Sequence, residues 1–513
     1  MSNGDFATFA PKRRGLWLKL LIGFCIVVLI IAGWLFLERK LGQAALKNYE
    51  QELIAKGEKL TFAELLPPLP DGPNKAIELV GLCNSFQTGA VLTLNAPRPM
   101  ECIAAGKALV ITKEADWFDK KAGKLTWEQV DRDLERNRDV LNELRAIVRL
   151  PVLRYPLNYR GVSTLLPHLA RQKGAALWLS GSALYKIHTN NISGAIDDIE
   201  SILMLARLTE HEPLLISQLV RIALVQIAVH DCWPLSQHDA SDADLMRLQK
   251  IFSDIDTVDP MVLGLQGERA MARDTFAMIR SEQINFDDLK DIATSFGYDD
   301  EAPGALDNVP YGDEMKGALR AHVIYPTWRY VFSYEDERHA IEEMQRIIGA
   351  TKAAKAARSA GRLKSLEATL NEKVKPSGDN RSWKYFVTGL LLPGTGTSGS
   401  RAFRTQTHCQ MGVAAIALKR YHMRYKTFPG SLAELVPEFL SEVPLDYQDG
   451  KPLRYRLNGS QFVLWSVGPD GKDDAGTPKS EPDFSWMSGP DDVWPQAASK
   501  AEAAAYRESQ LKR

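Results

Sequence analysis

The side chains able to move a proton, hold a metal or attack a carbonyl are scattered along this 513-residue chain. Gly394, Gly396 and Gly399 match GxGxxG within LLPGTGTSGS, the turn that can carry a dinucleotide pyrophosphate to a helix N-terminus. That fingerprint needs a strand before it and an acid about twenty residues beyond. Pro393 precedes it here, and the stretch reads as a linker. His211-Glu212 opens a pattern resembling HExxH, but Leu215 holds the place of the second histidine, so the zinc pair is missing. Neither GxSxG nor the phosphate-binding GxxxxGKS/T occurs. The nine histidines are dispersed and form no nucleophile–base pairing recognisable from spacing. We therefore expect no catalytic residues and no bound cofactor, and expect a chain that is not an enzyme.

The five cysteines form no CxxC and stand at no zinc-ligand distance from a histidine. Cys25 falls in an apolar segment, where it acts as a small hydrophobe. Cys83 and Cys102 are open to two readings, a disulfide in an oxidising compartment or two half-buried thiols. Against 63 Lys and Arg stand 64 Asp and Glu, a net charge of −1. Nucleic-acid binding needs a basic surplus to neutralise phosphates, so nucleic acid is excluded as the main partner.

The strongest signal is physical. Leu20 to Leu37 reads LLIGFCIVVLIIAGWLFL, eighteen positions without a charge. Thirteen are Leu, Ile, Val or Phe, together worth about −4 to −8 kcal/mol on the membrane-insertion scale. With Leu16 to Leu18 added and Lys19 snorkelling, the helix is roughly 33 Å long, enough for a hydrocarbon core of about 30 Å. The run outlasts a signal-peptide core and ends in Glu38, Arg39 and Lys40 without a small-x-small site, which favours an uncleaved anchor over a cleaved leader. Lys12, Arg13, Arg14 and Lys19 precede it, and Arg39, Lys40 and Lys47 follow it. That asymmetry places the N-terminus in the cytoplasm and the body beyond the membrane.

After the span, a helix from Asn48 leads into Pro67, Pro68, Pro70 and Pro73, a stalk. Thr126 to Leu150 carries Val130, Leu134, Leu141, Leu144 and Val148 at helical spacing. Gly174 to His188 predicts one helix, Asn190, Asn191, Ser193 and Gly194 a turn, and Ile196, Ile199, Leu203 and Ala206 a second helix. This rhythm resembles tetratricopeptide-like hairpins, without their full signature. Leu214 to Val229 is apolar but holds Ser217, Gln218, Arg221 and Gln226, so it predicts a buried central helix whose Arg221 needs a partner, Glu268 being the candidate. From about Asn285 to Asp336 the pattern loosens into acidic and Gly/Pro-bearing segments such as Tyr298 to Pro303, part of it expected to be a mobile loop, and helix resumes over Ile341 to Leu370.

Thr405 to Tyr425 predicts a helix with Met411, Ala414, Ala415, Leu418 and Tyr421 turned to a core. A hairpin follows, with strands at Leu453–Leu457 and Gln461–Val467 and an Asn458-Gly459 turn. Phe428, Pro429, Leu432, Leu435, Val436, Pro437, Phe439, Leu440, Pro444, Asp446, Tyr455, Ser466, Gly468, Asp470 and Gly471 give this region a pattern. It resembles the C-terminal half of the major pseudopilin of type II secretion, over roughly Phe403 to Gly476. The resemblance implies a small α+β head and a calcium site in the loop after the last strand, which falls on Asp470, Asp473 and Asp474. Calcium takes six to eight oxygen ligands. A plain Asp-Gly turn with solvated acids is the alternative reading of the same loop. The family also carries a glutamate early in its membrane helix, where this chain has Val28.

The expectation is a mainly α protein, divided into a cytoplasmic tail (1–19), a transmembrane anchor (20–37), a stalk (38–75), an α-helical body (76–400), a pseudopilin-like module (401–477) and a C-terminal tail (478–513). Functionally it reads as a non-catalytic scaffold or binding protein of a bacterial cell envelope. It would be held in the inner membrane by one helix, with a periplasmic body and envelope protein partners. Two alternatives stand beside it, an accessory component of a type II secretion machine and a hydrolase whose site converges only in three dimensions.

Overall fold

The computed structural model is mainly helical, and its longest apolar helix is N-terminal. It describes residues 12–511 apart from 69–70, 90–91, 93–95, 120–122, 286, 290, 292–318, 362, 367–382, 393–396, 480–485 and 488. The expected loop at Tyr298 to Pro303 and the first two glycines of the GxGxxG match lie outside the described residues. The helices begin with α1 (Lys12–Ala55), α2 (Phe62–Leu65), α3 (Ala76–Leu82), α4 (Trp127–Arg136), α5 (Arg138–Val148) and α6 (Pro167–His188). They continue with α7 (Ile192–Ala206), α8 (Leu215–Ser236), α9 (Asp242–Ser253) and α10 (Val258–Arg280). Last come α11 (Ser333–Ala356), α12 (Phe386–Leu391), α13 (Ser398–Tyr425) and α14 (Lys500–Leu511). The chain forms two compact units.

The first unit comprises Met1–Glu58, Ala272–Glu342 and Pro376–Leu391. Its axis is α1, 44 residues without a break. The sequence separates an anchor from a stalk at residue 38. The structure runs them together, because nothing between Leu37 and Ala55 interrupts a helix except the single Gly42. Leu46 and Leu53 are buried, and Glu50 receives the Arg273 guanidinium at 2.7 and 2.8 Å. Ahead of α11 lie two π-helical stretches, Arg320–Ile324 and Trp328–Phe332. Buried Asp336 accepts the amides of Val387 and Thr388 and the Thr388 hydroxyl, satisfying the exposed donors at the start of α12. Arg280 closes on buried Glu337 at 2.6 Å.

The second unit comprises Lys59–Met271, Glu343–Lys375 and Leu392–Arg513. Helices α6 and α7 form the expected hairpin. Asn190 turns the chain at a φ of 62°, and the Asn191 side chain accepts the Gly194 amide to cap α7. Helix α8 is buried along most of its length, as its scattered polar residues predict. The helix expected from Thr126 to Leu150 is broken at Asn137. That buried side chain bonds the Gln87 backbone and the Asp133 carbonyl, competing with the helical ladder.

Strands that hydrophobic periodicity did not reveal appear inside the expected all-helical body. β1 (Met100–Ala104) and β2 (Lys107–Val110) form an antiparallel hairpin, and β3 (Asp116–Asp119) pairs with β4 (Gly123–Thr126). Toward the C-terminus, β5 (Leu445–Asp446) pairs with β6 (Lys451–Pro452), and β7 (Arg454–Asn458) pairs with β8 (Gln461–Ser466). In the β7–β8 hairpin Asn458 pairs with Gln461, so the two turn residues are Gly459, at a φ of 61°, and Ser460. The expected turn is thus displaced by one residue, because the last pair of the ladder takes up Asn458 itself.

Residues 478–513 are not a tail. β9 (Asp492–Val493) extends the β7–β8 sheet, β10 (Gln496–Ala497) pairs with β2, and Trp486 and Trp494 are buried. Nor does 401–477 stand apart from the helices before it. Gln406 bonds Thr257, Arg420 grips Asp242, and Gln249 donates to the Phe439 carbonyl.

Gly267 of α10 has no room for a side chain, since an added Cβ would overlap the Pro213 carbonyl. Gly349 of α11 would meet nothing within 4 Å. Gly267→Ala is expected to cost about 3 kcal/mol or more, whereas Gly349→Ala is neutral or gains about 0.5–1 kcal/mol. Thermal unfolding of the detergent-solubilised pair checks the contrast; equal melting would refute this packing.

Candidate functional site

Of the three acids of the C-terminal loop, Asp470 and Asp473 have side-chain partners and Asp474 bonds through its backbone. Asp470 Oδ1 accepts the Lys472 amide at 3.0 Å. Asp473 Oδ1 accepts Trp465 Nε1 and the Ala475 amide, both at 3.0 Å, while Arg454 lies 3.5 Å from its other oxygen. Asp474 contributes backbone, its amide donating to Asp491 and its carbonyl accepting from the Thr477 hydroxyl. The organising carboxylate is Asp491, buried, which also accepts the amides of Gly476 and Thr477 at 2.8 and 3.0 Å. No local pattern marks Asp491 in the sequence; only folding brings it under the loop. Among the described residues no three His, Cys, Asp or Glu side chains are grouped to hold a metal.

Two histidine–carboxylate pairs form across the second unit from residues far apart in sequence. His168, on α6, meets Glu212 at 2.9–3.0 Å beneath the stacked ring of Tyr155. Glu212 is thus the partner of His168, and not half of a metal pair with its neighbour His211. Beside it, the Gln218 side chain donates to the carbonyls of Thr209 and Glu212, and the Gln172 side chain to that of Leu205. These bonds lock the ends of α6, α7 and α8 together.

The second pair is His408 of α13 with Asp492 of β9, at 3.0 Å. Arg404 grips the same carboxylate at 2.6 and 2.9 Å, and Gln226 bonds the other imidazole nitrogen. Burial alone would raise the Asp492 pKa. Hydrogen bonds from His408 and Arg404 outweigh it and bring the group down to about 2. A catalytic dyad needs a nucleophile on the imidazole and a path for substrate. Neither histidine bonds a Ser, Thr or Cys side chain among the described residues. His168 and His408 are 0% and 1% exposed, so both pairs are closed to a substrate.

Two further buried acids sit on or against α8. Asp231 accepts the Ser180 hydroxyl at 3.0 Å, and burial, helped by the nearby Asp198 carboxylate, raises its pKa to about 8. Glu268, expected to pair with Arg221, accepts the Leu215 amide at 2.8 Å and so satisfies a donor at the first turn of α8. Arg221 donates instead to the Asp256 carbonyl at 2.7 Å, with Glu210 at 3.9 Å. The exposed N-terminal donors of α8 claim the carboxylate that sequence spacing had offered to the arginine.

One recess opens to solvent beside α6. It is a cleft of about 400 Å³ lined by Cys83, Phe86, Pro167, Ala170, Arg171 and Trp178, with the Phe86 and Trp178 rings stacked 5.1 Å apart. Burial pushes the Cys83 thiol up to about 12, which favours the protonated form. No disulfide joins Cys83 to Cys102. The cleft offers an aromatic wall and one cation, chemistry suited to binding.

Comparison with protein families, with curated proteins and with solved structures finds no match to this chain.

Asp231 and Asp492 respond to pH in opposite senses. Asp231 keeps in the fold a proton that the unfolded chain releases above about pH 4, so stability drains as pH rises from about 4 toward 8. Asp231→Asn is expected to raise the melting temperature, with a gain larger at pH 8 than at pH 5 by on the order of 3 kcal/mol. Asp492, held low, contributes fully above about pH 4 and loses its contribution as pH falls toward 2. Asp492→Asn is expected to cost about 3 kcal/mol at neutral pH and progressively less below pH 4. Melting curves across pH measure both; a pH-independent effect at either position would contradict its assignment.

Proposed function

We propose that this chain is a membrane-anchored, non-catalytic scaffold or binding protein of a bacterial cell envelope. One helix spans the inner membrane, with the short N-terminus in the cytoplasm and the body in the periplasm. The observation that carries the reading is the stretch Leu20–Leu37 of α1, free of charge on every face, in a helix whose most apolar window is buried nowhere. Thirteen large aliphatic or aromatic side chains held in water would forfeit on the order of 20 kcal/mol of burial. That exceeds the whole folding stability of a typical domain, about 5–15 kcal/mol. A bilayer is the environment that removes the penalty. The orientation follows from the lysines and arginines that precede the span.

The binding half of the proposal rests on what the body offers. Its histidine–carboxylate pairs are sealed, while the Phe86–Trp178 cleft with Arg171 is open and suits an apolar or aromatic group carrying a negative charge. A second reading, an accessory component of a type II secretion machine, is favoured by the packing of Leu432, Leu435, Phe439 and Leu440 into a core beside α13. In that reading the C-terminal part of the chain would be the docking element.

The full-length protein is expected to stay with membranes through an alkaline carbonate wash, and a variant lacking residues 1–37 to be released. A C-terminal alkaline phosphatase fusion is expected to be active and a fluorescent-protein fusion dark. Release of the intact chain, or the opposite reporter pattern, would overturn the anchor or its orientation. Crosslinking pull-down then separates the two readings: secretion-machine components among the adducts favour the second, other envelope proteins the first.

A further inference from the structure

The helical run before α11 has an apolar, aromatic composition that the core of its unit does not use up. From Arg320 to Tyr334 it reads RAHVIYPTWRYVFSY, without one acidic residue. Tyr325, Trp328, Val331 and Phe332 are buried. Val323 and Tyr330 are not, at 53% and 58% exposed. Among the described residues of this unit, these two are the large apolar side chains left exposed outside α1.

Their position follows from their neighbours. Phe332 meets Trp34, ring centroids 6.4 Å apart, and the Tyr330 ring lies 3.9 Å from the Arg39 guanidinium carbon. Farther along, Tyr334 and Glu335 pack against Gly42. Going back from Glu335 to Phe332 therefore moves along α1 from Gly42 toward Trp34, that is, toward the apolar span. Two residues upstream of Phe332, Tyr330 lies at the level of Arg39, where the apolar span closes. Cations surround the same place: Arg39 and Lys40 close the span, and Lys384 lies over the Phe332 ring at 4.8 Å. Aromatic rings flanked by lysine and arginine are the composition of a membrane–water interface, where rings sit among headgroups and cations meet phosphates.

We propose that the π-helical run Arg320–Phe332 lies in the headgroup region of the bilayer that α1 enters, making a second, in-plane contact with lipid through Val323 and Tyr330. The inference rests on α1 being a membrane anchor. It adds that the first unit is seated on the membrane surface, since a helix without a break joins span to unit. The occupant is lipid because Tyr330 lies against Arg39 at the end of the span and the run itself carries no acid, its Arg329 being paired with Glu282 at 2.7 Å.

The test uses the full chain reconstituted in phosphatidylethanolamine–phosphatidylglycerol vesicles that carry a diazirine lipid with its photoreactive group near the headgroup. After illumination, adducts are mapped by mass spectrometry. Adducts are expected in two regions, the ends of the span within residues 16–41 and the run 320–332. Paired Val323→Asp and Tyr330→Asp substitutions are expected to cut labelling of 320–332 at least about fivefold while leaving the span's adducts unchanged. Labelling of the span without the run would overturn this inference and leave the anchor standing. Absence of adducts from both would overturn the anchor itself. Labelling of 320–332 that persists in the double variant would remove Val323 and Tyr330 as the contact.

Discussion

A helix that is apolar on all sides must be given something other than water, and that requirement governs the first unit. The same helix that carries the apolar stretch turns inward two turns later, burying Leu46 and Leu53 and taking an ion pair from Arg273 at Glu50. The apolar stretch and the core of the unit are one piece of secondary structure, with no linker between them.

Buried charge is the second organising feature, and in each case the pattern of partners decides what it does. Asp446 accepts the Gln448 and Val467 amides and the Ser466 hydroxyl, and receives Arg454, so one carboxylate ties β5, β7 and β8 together. Asp198 does the same for α5, α6 and α7 through Arg145, Ser182 and Lys186. An ionised group taken out of water is costly unless its lone pairs are met. These sites meet them with amides, hydroxyls and guanidinium groups from separate elements. That is the signature of side chains selected to define one packing arrangement. A catalytic acid would keep one oxygen free toward a cleft, and neither Asp446 nor Asp198 does.

What the sequence reveals and what it conceals divide along physical lines. Long periodic segments are readable because many residues vote for the same answer: α1, the α6–α7 hairpin, α8, α13 and the β7–β8 hairpin all follow their patterns. Short strands are not. β1 to β4 span four or five residues each, too few for alternation to stand out, and their pairing partners are set by tertiary contact. Asn137 looks like one more polar position on an amphipathic helix until Gln87 comes beside it. Asp491 and Asp492 look like a solvated acidic pair, yet one organises the loop after β8 and the other anchors His408 and Arg404. Partner choice is the least readable quantity of all. Glu268 was spaced plausibly for Arg221, but an unsatisfied helix terminus has a stronger local claim than a side chain that can reach a backbone carbonyl elsewhere.

The two apolar helices make the same point about membranes. α1 and α8 are both long and apolar enough to span, α8 by the smaller margin, with a mean hydropathy of 1.4 against 3.0. Their polar residues separate them. α8 carries Ser217, Gln218, Arg221, Gln226 and Asp231 at intervals around its circumference, and four of them have hydrogen-bond partners on other elements of the unit: Thr209, Asp256, Thr405 and Ser180. Such a helix would strand those groups in hydrocarbon, so it is stable only where protein surrounds it. Between Leu20 and Leu37 α1 carries no charged or amide side chain, its one strong side-chain donor being the Trp34 indole near the end, and the charges that follow sit within a turn of that end. The distinction between a core helix and a span thus lies less in how apolar a segment is than in whether its few polar atoms demand protein.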